Sequence, residues 1–231
     1  MRKIKWLGLQ TKLSIDDIAE RLTKSAYTHE RSEGFVLEQR RRDFISARFV
    51  ERLHRVEEVI DPFGNPETFE RYEYRSHEFG VFNYGPGLEF VDPSRGSQTL
   101  VARLLEIMDF DLAIAPLSID IQSWAMNIQT LLGTDGVVDR VQAKNLQISG
   151  EALASVEIDA KSDAVGAFRK FVAVADASLQ KLRVRLPAGA GGFTVTSQGV
   201  LEVAGKEKLA IVEAGRRAMF SMEARYSADP A

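Results

Sequence analysis

Three groups of residues have types and spacings that could do chemistry. The first lies in Val156-Glu157-Ile158-Asp159-Ala160-Lys161. Read as a strand, this run places Glu157, Asp159 and Lys161 on one face. Asp-x-Lys with a further acid about twenty residues upstream is the core of the PD-(D/E)xK nucleases, and Asp139 stands at that place. Two carboxylates, Asp139 and Asp159, would hold Mg²⁺, and Lys161 would orient or activate the attacking water. The proline that usually precedes the upstream acid is replaced by Val138. The competing reading is a solvated strand face opposite Ala154, Val156, Ile158 and Ala160.

The second group is basic. Lys181-Leu182-Arg183-Val184-Arg185-Leu186 alternates strictly, so three cations share one face and three apolar residues share the other. Cations repeated every about 6.6 Å along a strand approach the phosphate repeat of an extended single strand. Arg40, Arg41, Arg42, Arg48, Arg52 and Arg55 form another basic region, with Phe35, Phe44 and Phe49 as aromatic neighbours for stacking bases. No run of aromatic, glycine and basic residues of the RNP1 type accompanies them.

The third group carries little. The three histidines, His29, His54 and His77, have no nucleophile elbow near them, and there is no cysteine. Gly189, Gly191 and Gly192 are followed by Phe193-Thr194-Val195, not by the Lys-Ser/Thr pair of a phosphate loop. They read as a flexible loop.

The absence of cysteine excludes disulfides, thiolate metal sites and thiol nucleophiles, and agrees with a reducing compartment. The basic and apolar opening, Met1 to Leu9, is shorter than the core of a signal peptide. No run approaches the 18 apolar residues of a membrane span. A cytoplasmic protein without membrane contact is expected. Net charge is −3, but it is unevenly spread. Residues 1–55 hold 13 Lys/Arg against 8 Asp/Glu, and residues 56–120 hold 4 against 13. Such polarity suits an oriented encounter with a charged partner or with a second copy.

The elements that must position these groups follow from periodicity. Residues 3–9 read as a strand, and Ser14 with Asp17 forms a capping box for a helix with Ile15, Ile18, Ala19 and Leu22 inward. Strands are expected near 35–41, 45–60, 68–83 and 88–91. The middle two form a long hairpin over Asp61-Pro62-Phe63-Gly64-Asn65-Pro66. Charges on both faces of its arms indicate that it projects from the body. A helix over 97–109, a strand over 112–117 and a helix from Ser118 to Gly133 follow. Strands then span 137–148 and 152–161 around Ser149-Gly150. The next helix follows Ser162-Asp163, with Val165, Phe168, Phe171 and Val172 inward. A strand over 181–186, a hairpin over 193–203, and a last strand and short helix over 208–222 complete the pattern, before a loose tail.

The expected fold is therefore α+β. Two ferredoxin-like (split βαβ) halves are read over 1–117 and 118–231, the first with a projecting hairpin at about 45–81; one continuous domain fits the same string. This inferred topology, with residues 45–81 as the hairpin and Gly189 to Gly192 as a late glycine-rich loop, resembles the repeat-associated RNA-binding proteins of CRISPR systems. The resemblance lies in topology and one loop and shares no motif.

The function expected from the residues is a non-enzymatic binding or assembly protein. Its first ligand would be single-stranded RNA or DNA, held by Arg40, Arg41, Arg42, Arg48, Arg52, Lys181, Arg183 and Arg185. No catalytic residue, metal or cofactor is then required. Two alternatives stand beside it. One is the Mg²⁺-dependent nuclease of Asp139, Glu157, Asp159 and Lys161. The other is an accessory subunit that binds protein partners or itself.

Overall fold

The computed structural model describes residues 1–93, 97–149, 152–171, 178–222 and 225–226. In chain order the elements are β1 (Arg2–Thr11), α1 (Ile15–Lys24), β2 (Glu33–Arg40), β3 (Phe44–Ile60), β4 (Pro66–Phe82), β5 (Gly87–Val91), α2 (Ser97–Ile107), β6 (Leu112–Ala115) and β7 (Leu117–Ser118). There follow α3 (Ile121–Leu132), β8 (Val137–Ser149), β9 (Ala152–Asp159), α4 (Ala164–Phe171), β10 (Ser178–Arg185), a 3-10 turn (Pro187–Gly189), β11 (Gly191–Thr196), β12 (Val200–Gly205), α5 (Lys208–Ser221) and β13 (Arg225–Tyr226). The fold is α+β and its sheet is antiparallel. Two compact units interleave in sequence: residues 1–10, 84–92 and 113–231, and residues 11–83 with 93–112.

In the larger unit the strands run β5-β1-β12-β11-β10-β8-β9, and β7 pairs with β13. Alternation builds its core. Ile4, Leu201, Val195, Leu182, Val141 and Ile158 are register partners in turn across six strands. The first five are buried on one face of the sheet, with α3 and α5 contributing Trp124, Ile128, Ile211 and Ala218 to the same core. Trp6 meets Trp124 edge-on, with ring centroids 5.7 Å apart, an arrangement that adds about 1 kcal/mol beyond area burial. Gly215 of α5 faces Leu201 so closely that a Cβ would lie 2.4 Å from Leu201 Cδ2. Its carbonyl accepts the Trp124 Nε1 hydrogen bond at 3.2 Å.

A buried ion pair ties β5 to α5. Glu89 is 3% exposed and accepts from Trp6 Nε1 at 2.9 Å and from Arg216 Nε and Nη2 at 2.8 and 2.7 Å. These bonds to Glu89 raise the Arg216 guanidinium above its ordinary range.

The smaller unit is a three-stranded sheet, β2-β3-β4, with α1 and α2 supplying the rest of its core. Ser14 and Asp17 form the capping box, and Ile15, Ile18, Ala19 and Leu22 of α1 are buried. Phe35, Phe49 and Phe79 pack together, with centroids 5.1 and 6.0 Å from Phe35. Leu100, Leu104 and Met108 complete the core.

β3 and β4 are each 17 residues long and pair without a break from Phe44↔Phe82 to Ile60↔Pro66. β2 accompanies β3 only as far as Glu51. From His54 to Tyr72 every residue except the half-buried Asp61 is exposed. This two-stranded arm extends about 23 Å past the last residue of the body, at about 3.3 Å per residue.

Several expectations need correction. Two ferredoxin-like halves are not confirmed: in the second half β10 pairs directly with β8 and β11, and β9 ends the strand order, where the split βαβ arrangement would place another strand beside β10. The order of element types in a sequence does not fix which strands pair. α3 starts at Ile121, capped by Asp120 and not by Ser118. The segment 208–222 holds a single helix in place of a strand and a short helix. Phe168 is buried, but Phe171 is 70% exposed because it closes α4. Gly150 in the expected β8–β9 turn, Val172 and most of the tail lie outside the described residues.

Candidate functional site

The face of the larger sheet opposite its core gathers six of the residues singled out for chemistry. Lys3, Glu202, Thr194, Arg183, Arg140 and Asp159 are register partners in turn on β1, β12, β11, β10, β8 and β9. This polar row lies one residue along from the apolar row described above. It is consistent with strand alternation carried across six strands.

Charges alternate along and around the row. Lys3 and Lys181 both reach Glu202, at 3.3 and 3.9 Å. Arg140 binds Asp159 at 2.6 Å and Glu157 at 3.1 Å, and the Asp159 carboxylate raises the Arg140 guanidinium above its ordinary range. Arg183 and Arg140 stand directly opposite each other, a like-charge pairing that would repel alone. Asp159 relieves it, lying 3.8 Å from Arg183 as well.

A β-bulge supplies the second counter-charge. Arg183 pairs with Arg140 but Val184 pairs with Val138, so Asp139 is the extra residue of β8. Bulges re-aim side chains. Here the Asp139 side chain, 13% exposed, accepts from Arg183 Nε at 2.7 Å and lies 3.6 Å from Arg185 Nε. Arg185 Nη2 also donates to the Lys161 carbonyl at 3.0 Å.

The structure thus brings two separately read constellations onto one surface. Asp139, Glu157 and Asp159 are the acids of the nuclease reading, and Lys181, Arg183 and Arg185 are the cations of the nucleic-acid reading. Each of these six has an opposite charge within 4 Å. Arg183 reaches both Asp139 and Asp159, the two acids read as metal ligands. Among the described residues no group of three His, Asp or Glu side chains is spaced to hold a metal ion. Lys161 lies beyond the end of β9.

Two shallow depressions flank Arg183. One, about 340 Å³, is lined by Met1, Asp139, Arg185, Gly191, Gly192 and Ala204 among others. The other, about 170 Å³, lies among Arg140, Gln142, Glu157, Lys181 and Thr194. The glycines serve strand approach: a Cβ on Gly191 would lie 2.1 Å from the Ala204 carbonyl oxygen.

The remaining predicted cations lie in the smaller unit. Arg40 binds Asp16 through Nε at 3.0 Å, and Arg48 binds Glu38 at 2.6 Å. Arg52 donates to the His29 carbonyl at 2.7 Å and lies over the Tyr72 ring. Arg41 lies over Phe44, and Arg42 is exposed in the β2–β3 turn. Of the aromatics expected to stack bases, Phe35 and Phe49 are core residues, at 3% and 0% exposure. Phe44 stacks on Phe82 at 5.6 Å. His54 and His77 are not cross-strand partners: His54 faces Tyr72, and His77 faces Phe49.

The arm forms the second surface. On one face Arg52, His54, Val56, Glu58 and Ile60 stand opposite Tyr74, Tyr72, Glu70, Thr68 and Pro66. His54 stacks on Tyr72 at 5.2 Å and meets Glu70 at 3.1 Å. On the other face Arg71 joins Glu57 and Glu73, at 2.7 and 3.1 Å, and Arg55 lies 3.5 Å from Glu73. Val56, Val59, Ile60, Phe63, Phe69, Tyr72 and Tyr74 are all exposed large apolar or aromatic side chains. Only the mixed charges of this segment were legible as a signal of projection. The concentration of exposed aromatics needed the register and the end of β2 to be known.

No protein-family model matches the sequence, and no curated protein matches it.

Proposed function

We propose that the chain is a non-enzymatic binding and assembly protein that engages a protein partner through the β3–β4 arm. One observation carries this reading. Six large apolar or aromatic side chains (Val56, Val59, Ile60, Phe63, Phe69 and Tyr72) are exposed on a ribbon that has no third strand and no covering helix among the described residues. A bare two-stranded ribbon is marginally stable in water, and clustered exposed apolar groups of this kind mark interaction surfaces. Cross-strand ion pairs and the His54–Tyr72 stack hold the ribbon extended. Its apolar groups are left for another molecule.

The test is site-directed photo-crosslinking in the protein's own cells. A photoreactive phenylalanine analogue at Phe63 or Phe69 on the arm should give a discrete protein adduct. The same analogue at Phe110, also exposed but in the turn after α2, should not. Equal adducts from arm and control, or none from the arm, would refute the reading.

A second reading, single-stranded nucleic acid on the larger sheet, has an observation of its own. Lys181, Arg183 and Arg185 retain 42%, 41% and 59% side-chain exposure along one strand. Phosphates would have to compete with Asp139, Asp159 and Glu202 for them. Salt-dependent binding of labelled RNA or DNA that falls when these three are changed to glutamate would support it.

A further inference from the structure

The end of the arm is a tightly hydrogen-bonded turn that carries one exposed aromatic ring. Asp61 organises the turn. Its Oδ1 accepts from the amides of Phe63 and Asn65, both at 2.8 Å, and its Oδ2 accepts from Asn65 Nδ2 at 3.0 Å. Asp61 N–H donates to the Asn65 carbonyl at 2.9 Å, and Gly64 N–H donates to the Asp61 carbonyl at 3.0 Å. Gly64 takes the positive φ, +88°, that closing this turn requires. Pro62 and Pro66 restrict the backbone on either side. The Asn65 amide and these backbone donors hold the Asp61 carboxyl below its ordinary range.

Within this fixed turn Phe63 is 89% exposed, the most exposed large apolar side chain among the described residues. The backbone that carries the ring therefore has little conformational freedom left to lose on binding. Buried aromatic anchors are also the residues that dominate protein interfaces.

Charge specifies what receives the ring. The arm, residues 54–72, contains Glu57, Glu58, Asp61, Glu67 and Glu70 against Arg55 and Arg71, and both arginines are already engaged, Arg71 by Glu57 and Glu73 and Arg55 by Glu73. This acidic field repels phosphate backbones and anionic lipid surfaces and attracts cationic protein.

We infer that Phe63 is the anchor of the arm, inserting into an apolar pocket rimmed by lysine or arginine on a different protein. The inference rests on the docking reading above and adds the anchor and the chemistry of its receptor.

The experiment places the photoreactive analogue at Phe69, leaving position 63 free, and compares adduct yields in cells. Phe63→Ala should lower the yield about tenfold, and Phe63→Leu should keep most of it. Asp61→Ala, which frees the turn but keeps the ring, should fall between them. Reversing Glu57, Glu58 and Glu67 to lysine should lower the yield about tenfold. Mass spectrometry should place the cross-linked peptide in a segment rich in lysine or arginine. A yield that survives Phe63→Ala overturns the anchor while leaving arm docking intact. An acidic cross-linked segment, or an adduct to a second copy, a nucleic acid or a lipid, overturns the proposed receptor. No adduct from the unsubstituted tip removes the docking reading itself. Circular dichroism of each purified variant shows that the body remains folded.

Discussion

Arg183 on β10 donates to Asp139 on β8 at 2.7 Å, and a one-residue bulge in β8 puts the carboxylate there. The contact joins a residue read from sequence as a phosphate ligand to one read as a metal ligand. Much of the charge on this face is accounted for within the face. Because both side chains are partly solvated or surface-bound, their coupling is expected to be modest. A double-mutant cycle of Arg183→Ala and Asp139→Ala, read by urea unfolding, should give about 0.5–1 kcal/mol. A coupling near zero would mean that the bulge does not serve this pair.

The buried pair behaves differently. Arg216→Met leaves Glu89 in the core without its cationic partner, still accepting from Trp6 Nε1, and should cost about 3–5 kcal/mol. Glu89→Gln keeps an acceptor for Trp6 and should cost less. Unfolding followed by tryptophan fluorescence reads both, because Trp6 is one of only two tryptophans. Equal losses would contradict the account.

Helix α3 carries a pH-dependent cap. Asp120 Oδ2 accepts from the Ser123 hydroxyl at 2.6 Å, and Oδ1 accepts from the amides of Gln122 and Ser123. The Ser123 hydroxyl first, then these amides, hold the Asp120 carboxyl below its ordinary range. A lowered folded-state pKa contributes stability above the unfolded value, about 3.9, and that stability is lost as pH falls through the lower folded value. Asp120→Ala should cost about 1 kcal/mol at neutral pH. Asp120→Asn, also a good cap, should retain most of the stability and reduce its loss in acid, measured by thermal melts from pH 7 to pH 3.

Asp159 binds Arg140 and approaches Arg183. On the assembly reading, Asp159→Ala leaves labelled RNA and DNA as intact with Mg²⁺ as the unchanged protein does. Cleavage by the unchanged protein that disappears in this variant would restore the nuclease reading.

The sequence contained the local half of this structure. The capping box at Ser14 and Asp17, the apolar stripe of α3 and the turn from Asp61 to Pro66 are short-range patterns, and each element lies near where its pattern places it. Pairing between distant strands is not local. That β1 lies between β5 and β12, and that Arg140 stands opposite both Arg183 and Asp159, depend on packing. α5 was obscured because Leu209-Ala210-Ile211-Val212 is as strand-like as it is helical. Its Gly215 makes sense only against Leu201 and Trp124. Asp139, Asp159, Lys181, Arg183 and Arg185 were individually legible as unusual. Their mutual neutralisation was not, since it follows from the register of distant strands and, at Asp139, from a bulge.

The arm should be separable from the fold. Replacing residues 54–72 with Asn-Gly joins Leu53 to Glu73, which are cross-strand partners, through a favoured two-residue turn. The removed side chains are almost all exposed, so the melting temperature should change by no more than about 2–4 °C, the shift about 1 kcal/mol produces at this size.

That variant also provides the most direct test of the central claim. Both forms would be expressed at native level in the protein's own cells, and the size of the particle containing each would be measured by sedimentation of the clarified extract. The account predicts that the full chain sediments in an assembly well above its own 25.7 kDa and that the arm-shortened chain sediments near its own mass. Identical sedimentation of the two forms would contradict it.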